Sequence, residues 1–333
     1  MPLQPEVQQL IDGLAAMGIR PMEEMTPSEV RTTFAALGEM GPGSAPDFPW
    51  WDGAVPGAGR DIPVRVYDPA GSSPQGPVLV WYHGGGWVIG DLVTADQTCR
   101  HLAALTGIRV VSVDYRLAPE HPFPAAADDA YAAYEAVRRG ALSPPAAQGG
   151  GGSAGGGSGG GGVGPRPSVV AVGGDSAGGN LAAVVTLMAR ERAQPQPAFQ
   201  LLVYPVTDAG MDTASYHDNA EGYFLTEASM RWFFDHYVGA DAGLRADPRV
   251  SPLRAASLEG LAPAHVVTAE YDPLRDEGEA YATRLRDAGV AVTQVRYDGQ
   301  IHGFFGLIDF CGPTARQALE TAATHVRNAV VQR

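Results

Sequence analysis

The chain of 333 residues is long enough to bury one large core of helices and strands, with room for a small additional helical unit. Its formal net charge of −14 makes nucleic acids and anionic membranes poor partners, because an acidic surface repels phosphate groups. The sequence contains no apolar run approaching the ~18 residues of a membrane-spanning helix, so it predicts no membrane span.

Cysteine content and the N-terminal segment indicate a reducing compartment. Cys99 and Cys311 are too few for a disulfide framework, and a single disulfide between them is the alternative. Residues 1–20 lack a basic start followed by an apolar run, so they do not read as a signal peptide. We therefore expect a cytoplasmic protein in which Cys99, within a helical pattern at 94–105, is a small buried apolar group.

The N-terminal part of the chain is predicted to be helical. Residues 5–40 carry apolar residues at helical spacing and predict two amphipathic helices broken near Pro21. They belong to an N-terminal unit, residues 1–45, that packs either over the functional face of the protein or on its core. Residues 50–54 and 62–67 follow as strands, predicted to begin the sheet in antiparallel fashion.

The rest of the chain, 46–333, alternates strands with helices. Strands are predicted at 78–82, 110–113, 168–172, 199–204, 264–268 and 290–296, and helices at 94–105, 125–139, 180–193, 276–287 and 313–331. This alternation predicts an α/β fold with a mostly parallel, doubly wound sheet. Residues 208–250 show no such strand and carry aromatic helical pieces, which indicates a helical insertion.

Residues 148–164 are almost entirely glycine, with serine and alanine. Because this segment has almost no apolar surface to bury, it predicts a flexible surface loop without an assigned function. A domain linker is disfavoured, since the strands on both sides belong to one alternating series.

The motif Gly174-Asp175-Ser176-Ala177-Gly178 lies between a predicted strand and a predicted helix. A serine on such a sharp turn, with glycines that let strand and helix pack closely, is typical of a nucleophile elbow. A glycine-serine turn that only connects the two elements is the alternative. The flanking strand and helix favour the elbow, so Ser176 is the candidate nucleophile.

A serine nucleophile needs a base, and the base needs an acid that fixes its tautomer. Asp272 follows the predicted strand at 264–268, and Pro273 stiffens the turn. Asp276 and Glu277 fall in the first turn of the next helix, where acids are favoured by the helix dipole alone. We therefore predict Asp272 as the acid, ahead of Glu270 and these two residues.

The candidate base is His302, which follows the last predicted strand in a loop with flanking glycines. The chain order Ser, Asp, His is the order found on open α/β sheets with a nucleophile elbow. His217, His236 and His265 lie in the insertion, in a helix and in a strand, and they lack this placement. No cluster of His or Cys has metal-ligand spacing, so we predict no metal.

Backbone N–H groups are needed to bind the oxyanion of a tetrahedral intermediate. Ala177, directly after the candidate nucleophile, supplies one, and the loop His83-Gly84-Gly85-Gly86 supplies others. A phosphate-binding loop is disfavoured, because no Lys-Ser or Lys-Thr follows the glycines.

Together these segments resemble the hormone-sensitive lipase family of α/β-hydrolases, in its bacterial family IV carboxylesterase branch. The matching motifs are His83-Gly84-Gly85-Gly86-Trp87, Asp114-Tyr115-Arg116-Leu117-Ala118-Pro119-Glu120, Gly174-Asp175-Ser176-Ala177-Gly178-Gly179-Asn180, Asp272-Pro273-Leu274-Arg275-Asp276-Glu277 and Ile301-His302-Gly303-Phe304. The resemblance runs from about residue 45 to the C-terminus, and only the glycine-rich stretch departs from it.

The resemblance implies a triad of Ser176, Asp272 and His302. It implies Gly85, Gly86 and Ala177 as oxyanion donors, Gly84 as a weaker candidate and His83 as support for the loop. It also implies the α/β-hydrolase fold, with a helical cap built from the N-terminal helices and the insertion at 208–250.

The implied activity is hydrolysis of short- to medium-chain acyl esters, without a cofactor, by a monomer or a homodimer. Tyr204 and Leu274 follow strand ends and are candidate substrate contacts. Cap aromatics such as Phe224, Trp232 and Phe233 either line an acyl pocket or pack the cap internally.

Two other functions remain as alternatives. An amide or formamide hydrolase uses the same triad. A non-catalytic small-molecule receptor of this fold lacks the base, so the presence of His302 argues against that alternative. A lipase acting on long chains is disfavoured, because the sequence shows no long apolar segment that covers the site.

Overall fold

Eight strands form one mixed sheet at the centre of the molecule. The computed structural model describes residues 2–38, 43–69, 71–142 and 165–331; the glycine-rich stretch 148–164 therefore lies outside the described residues. The strands are β1 (Trp50–Pro56), β2 (Asp61–Tyr67), β3 (Val78–Tyr82), β4 (Arg109–Val113), β5 (Val170–Asp175), β6 (Gln200–Val203), β7 (Ala264–Tyr271) and β8 (Val292–Ile301). Their spatial order is β1-β2-β4-β3-β5-β6-β7-β8.

The sheet begins antiparallel and continues parallel. β2 pairs in antiparallel fashion with β1 and with β4, and every other neighbouring pair is parallel. The helices that connect the parallel strands are α3 (Asp96–Thr106), α4 (Ala125–Arg138), α5 (Ala177–Glu191) and α9 (Arg275–Asp287), and α10 (Gly312–Val331) closes the chain. This arrangement confirms the predicted mostly parallel, doubly wound sheet of an α/β-hydrolase.

Two apolar clusters lie on opposite faces of the sheet. Central strand β3 is buried along its whole length, and its side chains alternate between the clusters, with Val80 in one and Trp81 in the other. Helices α4, α5 and α9 contribute to the first cluster, and α3 and α10 to the second. Cys99 is buried within α3 as predicted, and both it and Cys311 are free thiols.

The largest differences from the predicted boundaries lie beside functional loops, and they include the end of β7, at Tyr271 rather than at 268. β5 spans Val170–Asp175 rather than 168–172, α5 begins at Ala177 rather than at 180, and β8 spans Val292–Ile301 rather than 290–296. Strand β5 extends through two glycines because Gly174 pairs with both Tyr82 and Leu202 in the ladder. Ladder pairing therefore overrode the low strand propensity of glycine.

The N-terminal helices divide between two locations. Helix α1 (Pro5–Ala16) places its one buried side chain, Val7, in the second apolar cluster, near β8. A short 3₁₀ turn (Met22–Glu24) contacts a helix of the segment 208–250, and α2 (Pro27–Gly38) follows it. Val30 of α2 lies in the first apolar cluster, so the two helices pack against opposite faces of the sheet.

The segment 208–250, all of which is described, contains helices and no strand. These are α6 (Ala214–Asp218), α7 (Glu227–Tyr237) and α8 (Ala242–Ala246). Among the described helices, none combines the length and hydropathy needed to cross a membrane.

Candidate active site

The predicted functional residues follow the carboxyl ends of parallel strands. Ser176 comes directly after β5, Asp272 after β7, His302 after β8 and the loop that begins at His83 after β3. These strand ends meet at one edge of the sheet, which is where open α/β sheets form their sites. Residues that are distant in the chain are therefore brought together by the topology.

Ser176 has a backbone conformation that serine rarely adopts. Its φ is 56° and its ψ is −119°, at the position just before α5 begins. Its N–H donates to the carbonyl of Val203 on β6 at 2.9 Å, which helps hold the turn in place. Glycine is required on both sides: a Cβ at Gly174 would overlap the Gly178 backbone, and one at Gly178 would overlap the Tyr82 carbonyl. The turn thus has the strained geometry of a nucleophile elbow.

A continuous hydrogen-bonded chain joins three of the predicted residues. The Ser176 Oγ lies 3.0 Å from His302 Nε2, and His302 Nδ1 lies 2.8 Å from Asp272 Oδ2. Asp272 is fully buried, whereas Ser176 and His302 keep 7% and 6% of their surface exposed. The arrangement holds a serine hydroxyl against an imidazole that is oriented by a carboxylate.

The carboxylate of Asp272 is oriented by its own loop. Its Oδ1 accepts the N–H of Leu274 at 2.8 Å, which leaves Oδ2 directed at His302. The side chain of Leu274, a predicted substrate contact, is fully buried. In addition, Asn219 Nδ2 donates to the Asp272 carbonyl at 3.3 Å, so the segment 208–250 contacts the acid loop directly.

The rejected acid candidates have other partners. Asp276 accepts the N–H of Ser215 at 2.8 Å, and Glu277 accepts the N–H of Thr207 at 2.7 Å. Glu270 accepts the N–H of Gly299 at 2.7 Å. Of the four acids weighed from sequence, the structure joins only Asp272 to His302.

The loop after β3 leaves backbone donors unused. The φ values of Gly85 and Gly86 are 105° and 56°, which favour glycine at both positions. Within the described ranges, the N–H groups of Gly85, Gly86 and Ala177 donate to no other group. The N–H of Gly84, in contrast, donates to Asp175 Oδ1 at 3.1 Å. Three donors are therefore free to receive an oxyanion, and Gly84 is not among them.

His83 supports this loop through contacts of its imidazole ring. Its ring stacks on Tyr115 with centroids 4.3 Å apart, and its Nδ1 lies 2.7 Å from the Gly84 carbonyl. The Tyr115 hydroxyl donates to the His83 carbonyl at 2.7 Å. Burial lowers the pKa of His83 to about 4, so the ring is neutral at pH 7 and its Nδ1–H serves as a donor to the loop.

Aromatic rings border the site. A Cβ on Gly86 would overlap the ring of Phe233 from α7, so that ring lies directly against a candidate oxyanion donor. Phe224 lies within 3.2 Å of the position that a Cβ on Gly303 would take, next to His302. Tyr204, predicted as a substrate contact, packs on His302 with ring centroids 4.5 Å apart.

Trp232, the other aromatic residue that the sequence singled out, contacts its own helix. Its ring lies 4.2 Å from that of His236 and 5.3 Å from that of Phe233. Trp232 therefore packs α7 internally, whereas Phe224 and Phe233 border the site.

Two further residues reach the site region without a strong sequence signal. Asp175 was visible only as the variable residue of the elbow motif, and burial raises the pKa of its carboxyl to about 6. Arg31 of α2 donates to the Val88 carbonyl, just beyond the glycine loop, at 2.8 Å. No local pattern identifies an arginine whose partner lies 57 residues away.

Comparisons with known proteins agree with this geometry. Residues 79–306 match a family model described as the α/β hydrolase fold. The carboxylic ester hydrolase LipN of Mycobacterium tuberculosis is 44% identical over 290 residues, which cover 86% of this chain and 72% of that protein. The ethyl acetate hydrolase of Pseudomonas putida is 35% identical over 313 residues, covering 91% and 92%.

Solved structures extend the likeness to the whole chain. The hyperthermophilic esterase from the archaeon Pyrobaculum calidifontis superposes with a TM-score of 0.87 at 39% identity, covering 99% of this chain and 100% of that one. The matched region includes every residue of the hydrogen-bonded chain from Ser176 to Asp272. The protein therefore belongs to the α/β-hydrolase family, in the hormone-sensitive lipase type that its motifs resemble.

Proposed function

We propose that the protein is a carboxylic ester hydrolase that forms an acyl-enzyme on Ser176. The observation that carries this proposal is the unbroken chain of hydrogen bonds from Ser176 through His302 to buried Asp272. Curated relatives named as carboxylesterases support the same activity. The receptor alternative depends on a missing base, and His302 stands 3.0 Å from the serine hydroxyl.

The acylation step follows from the tautomer that Asp272 imposes. His302 donates Nδ1–H to the carboxylate, so its Nε2 is unprotonated and accepts the Ser176 proton as Oγ attacks the ester carbonyl. The carboxylate then stabilises the imidazolium that forms. Near-complete burial of all three groups strengthens these electrostatic interactions.

The oxyanion of the tetrahedral intermediate is assigned to the amides of Gly85, Gly86 and Ala177. Ala177 begins α5, so the positive end of the helix dipole adds to its N–H. Each such donor typically contributes about 3 kcal/mol to transition-state stabilisation. Because these amides have no other partner among the described residues, no hydrogen bond has to break before they bind the charge.

The second half of the reaction reverses the proton path. The imidazolium of His302 donates its Nε2 proton to the departing alcohol, which leaves the acyl group on Ser176 Oγ. The neutral imidazole then accepts a proton from water, whose oxygen attacks the acyl carbonyl. Collapse of this intermediate returns the proton to Ser176 and releases the carboxylic acid.

We infer that the N-terminal helices and the segment 208–250 form a cap that limits the acyl chain. The rings of Phe224 and Phe233 lie next to the loops of His302 and Gly86, where they would border an acyl chain beside the reacting carbonyl. Short- to medium-chain acyl esters are therefore the proposed substrates. A relative named ethyl acetate hydrolase supports a small acyl group.

The decisive experiment measures initial rates on p-nitrophenyl esters of increasing acyl length. Wild type is compared with Ser176→Ala and with Ser112→Ala, a matched control in which a serine buried within β4 is replaced. We expect turnover that Ser176→Ala abolishes and Ser112→Ala preserves, with an optimum at short or medium length. Folded wild type that hydrolyses no ester but cleaves the matching p-nitroanilides would replace this proposal with amide hydrolysis.

A further inference from the structure

One carboxylate outside the hydrogen-bonded triad contacts the loop of the candidate oxyanion donors. Asp175 is the last residue of β5, and Gly84 lies just after β3, its neighbour in the sheet. The Asp175 Oδ1 accepts the Gly84 N–H at 3.1 Å, across 91 positions of the chain. A Cβ on Gly84 would overlap Oδ2 of the same carboxylate, so this glycine is required by the contact.

This contact fixes the loop at its first glycine. Beyond it, the Gly85 carbonyl accepts the N–H groups of Val88 and Ile89 at 3.0 and 2.9 Å, which closes a tight turn. Among the described residues, the amides of Gly85 and Gly86 have no acceptor. The glycines contribute no side chains of their own, so the orientation of their amides depends on the hydrogen bonds of the loop and on the groups packed against it.

We propose that Asp175 is a positioning residue, which orients the amides of Gly85 and Gly86 toward the transition state by holding the N–H of Gly84. The inference rests on the proposed ester hydrolysis. In this proposal the Asp175 carboxylate affects the reaction rate only through the loop, because it accepts the hydrogen bond from Gly84. It predicts that the acceptor oxygen matters and that the negative charge does not.

Two substitutions separate these properties. Asp175→Asn keeps an oxygen acceptor for Gly84 and removes the charge, whereas Asp175→Ala removes both. Asp114→Ala is the matched control. Like Asp175, Asp114 is half-buried, and it directly follows β4 at the same edge of the sheet. We expect Asp175→Ala to lower kcat by about 10- to 100-fold, less than the ~10²- to 10³-fold loss of a whole donor, with KM little changed. Asp175→Asn and the control should stay within about threefold of wild type.

A transition-state analogue provides the second readout. A trifluoromethyl ketone forms a tetrahedral adduct with the serine, so its affinity should fall by the same factor as kcat/KM in Asp175→Ala. If Asp175→Ala only destabilised the fold, the melting temperature would fall, but the affinity for the ketone and kcat/KM would not fall by the same factor. An Asp175→Asn variant as slow as Asp175→Ala would overturn the proposal, since charge rather than the hydrogen bond would then be responsible.

Hydrogen exchange tests the loop independently of turnover. Amide exchange in a peptide covering residues 83–89 should accelerate in Asp175→Ala and remain at the wild-type rate in Asp175→Asn. Unchanged exchange in Asp175→Ala would refute the positioning role even if the protein hydrolyses esters. If wild type lacks turnover but exchange responds as expected, the proposed function fails while the contact with the loop stands.

Discussion

The sheet edge and the surrounding helical segments hold the site in different ways. At the sheet edge, Ser176, Asp272 and His302 follow strand ends and contact one another through hydrogen bonds of 3.0 and 2.8 Å. The helical segments 5–38 and 208–250 approach mainly through aromatic rings, as where Trp87 stacks on Tyr237 at 4.2 Å. Directional bonds suit proton transfer, whereas ring packing suits the selection of a substrate shape.

Hydrogen bonds also connect these two regions, and Arg31 makes several of them. Arg31 of α2 donates to the carbonyls of Val88 and Ala118 at 2.8 and 2.9 Å and forms a bidentate pair with Glu120 at 2.7 Å. On the same helix, Phe34 lies 6.1 Å from Phe224 between ring centroids. These contacts join α2 to the segment just beyond the loop that carries the candidate oxyanion donors.

The largest effect is expected at the sheet edge. Asp272→Asn should lower kcat by about 10³- to 10⁴-fold, because an amide no longer fixes the His302 tautomer or stabilises the imidazolium. Stability should change little, since Asn retains an oxygen for the N–H of Leu274. Steady-state kinetics with a p-nitrophenyl ester, together with thermal unfolding, measure both properties.

A neighbouring carboxylate serves as the control for that substitution. Asp276→Asn alters an acid whose side chain contacts Ser215 and Arg275 rather than His302, so kcat should remain within a few-fold of wild type. A loss smaller than about tenfold in Asp272→Asn would contradict its role as the acid of the triad.

A smaller effect, on substrate binding, is expected where α2 meets the loop. Arg31→Ala removes the bonds that hold the helix, so KM should rise about fivefold, equivalent to about 1 kcal/mol, while kcat changes less. Kinetics across a series of acyl lengths measure the change. Arg20→Ala is the control, because its side chain pairs with exposed Glu29 rather than with the segment beyond the loop. A fall in kcat at constant KM would show that Arg31 affects the chemical step, as the residues at the sheet edge do, and not substrate binding.

The smallest effect on activity is expected at Glu277, where segment 208–250 joins the sheet. Its carboxylate accepts the N–H groups of Thr207 and Asp208, and burial raises its pKa well above 4.5. The folded state therefore binds this proton more tightly than the unfolded state. Its contribution is fully present below pH 4.5 and is lost as pH rises toward the raised pKa, by at most about 1.4 kcal/mol per pH unit.

Substitution by glutamine tests that linkage. Glu277→Gln has no titrating proton at this position, so the free energy of unfolding should fall less between about pH 5 and about pH 8 than in wild type. Urea unfolding at the two pH values measures the difference. Equal changes in the two proteins would show that Glu277 does not cause the pH dependence of the free energy of unfolding.

Sequence reasoning succeeded where local pattern and chain order coincide. The strand and helix around Ser176, and the positions of Asp272 and His302 after later strands, follow from hydrophobic periodicity and from the fixed order of this kind of sheet. It was wrong by two and three residues at the ends of β5 and by two and five residues at the ends of β8. There, pairing with neighbouring strands extends the ladder beyond what propensity indicates.

The sequence by itself determined which residue types stand at which strand ends, since each such signal spans only a few neighbouring positions. Only the tertiary structure decided that Asp175 accepts the amide of Gly84, that Arg31 reaches Val88 and that α1 and α2 pack in different places. These contacts join residues 57 and 91 positions apart, and they depend on how helices and strands pack once the core has formed. No local periodicity encodes such a distance, which is why the support of the site emerged only from the fold.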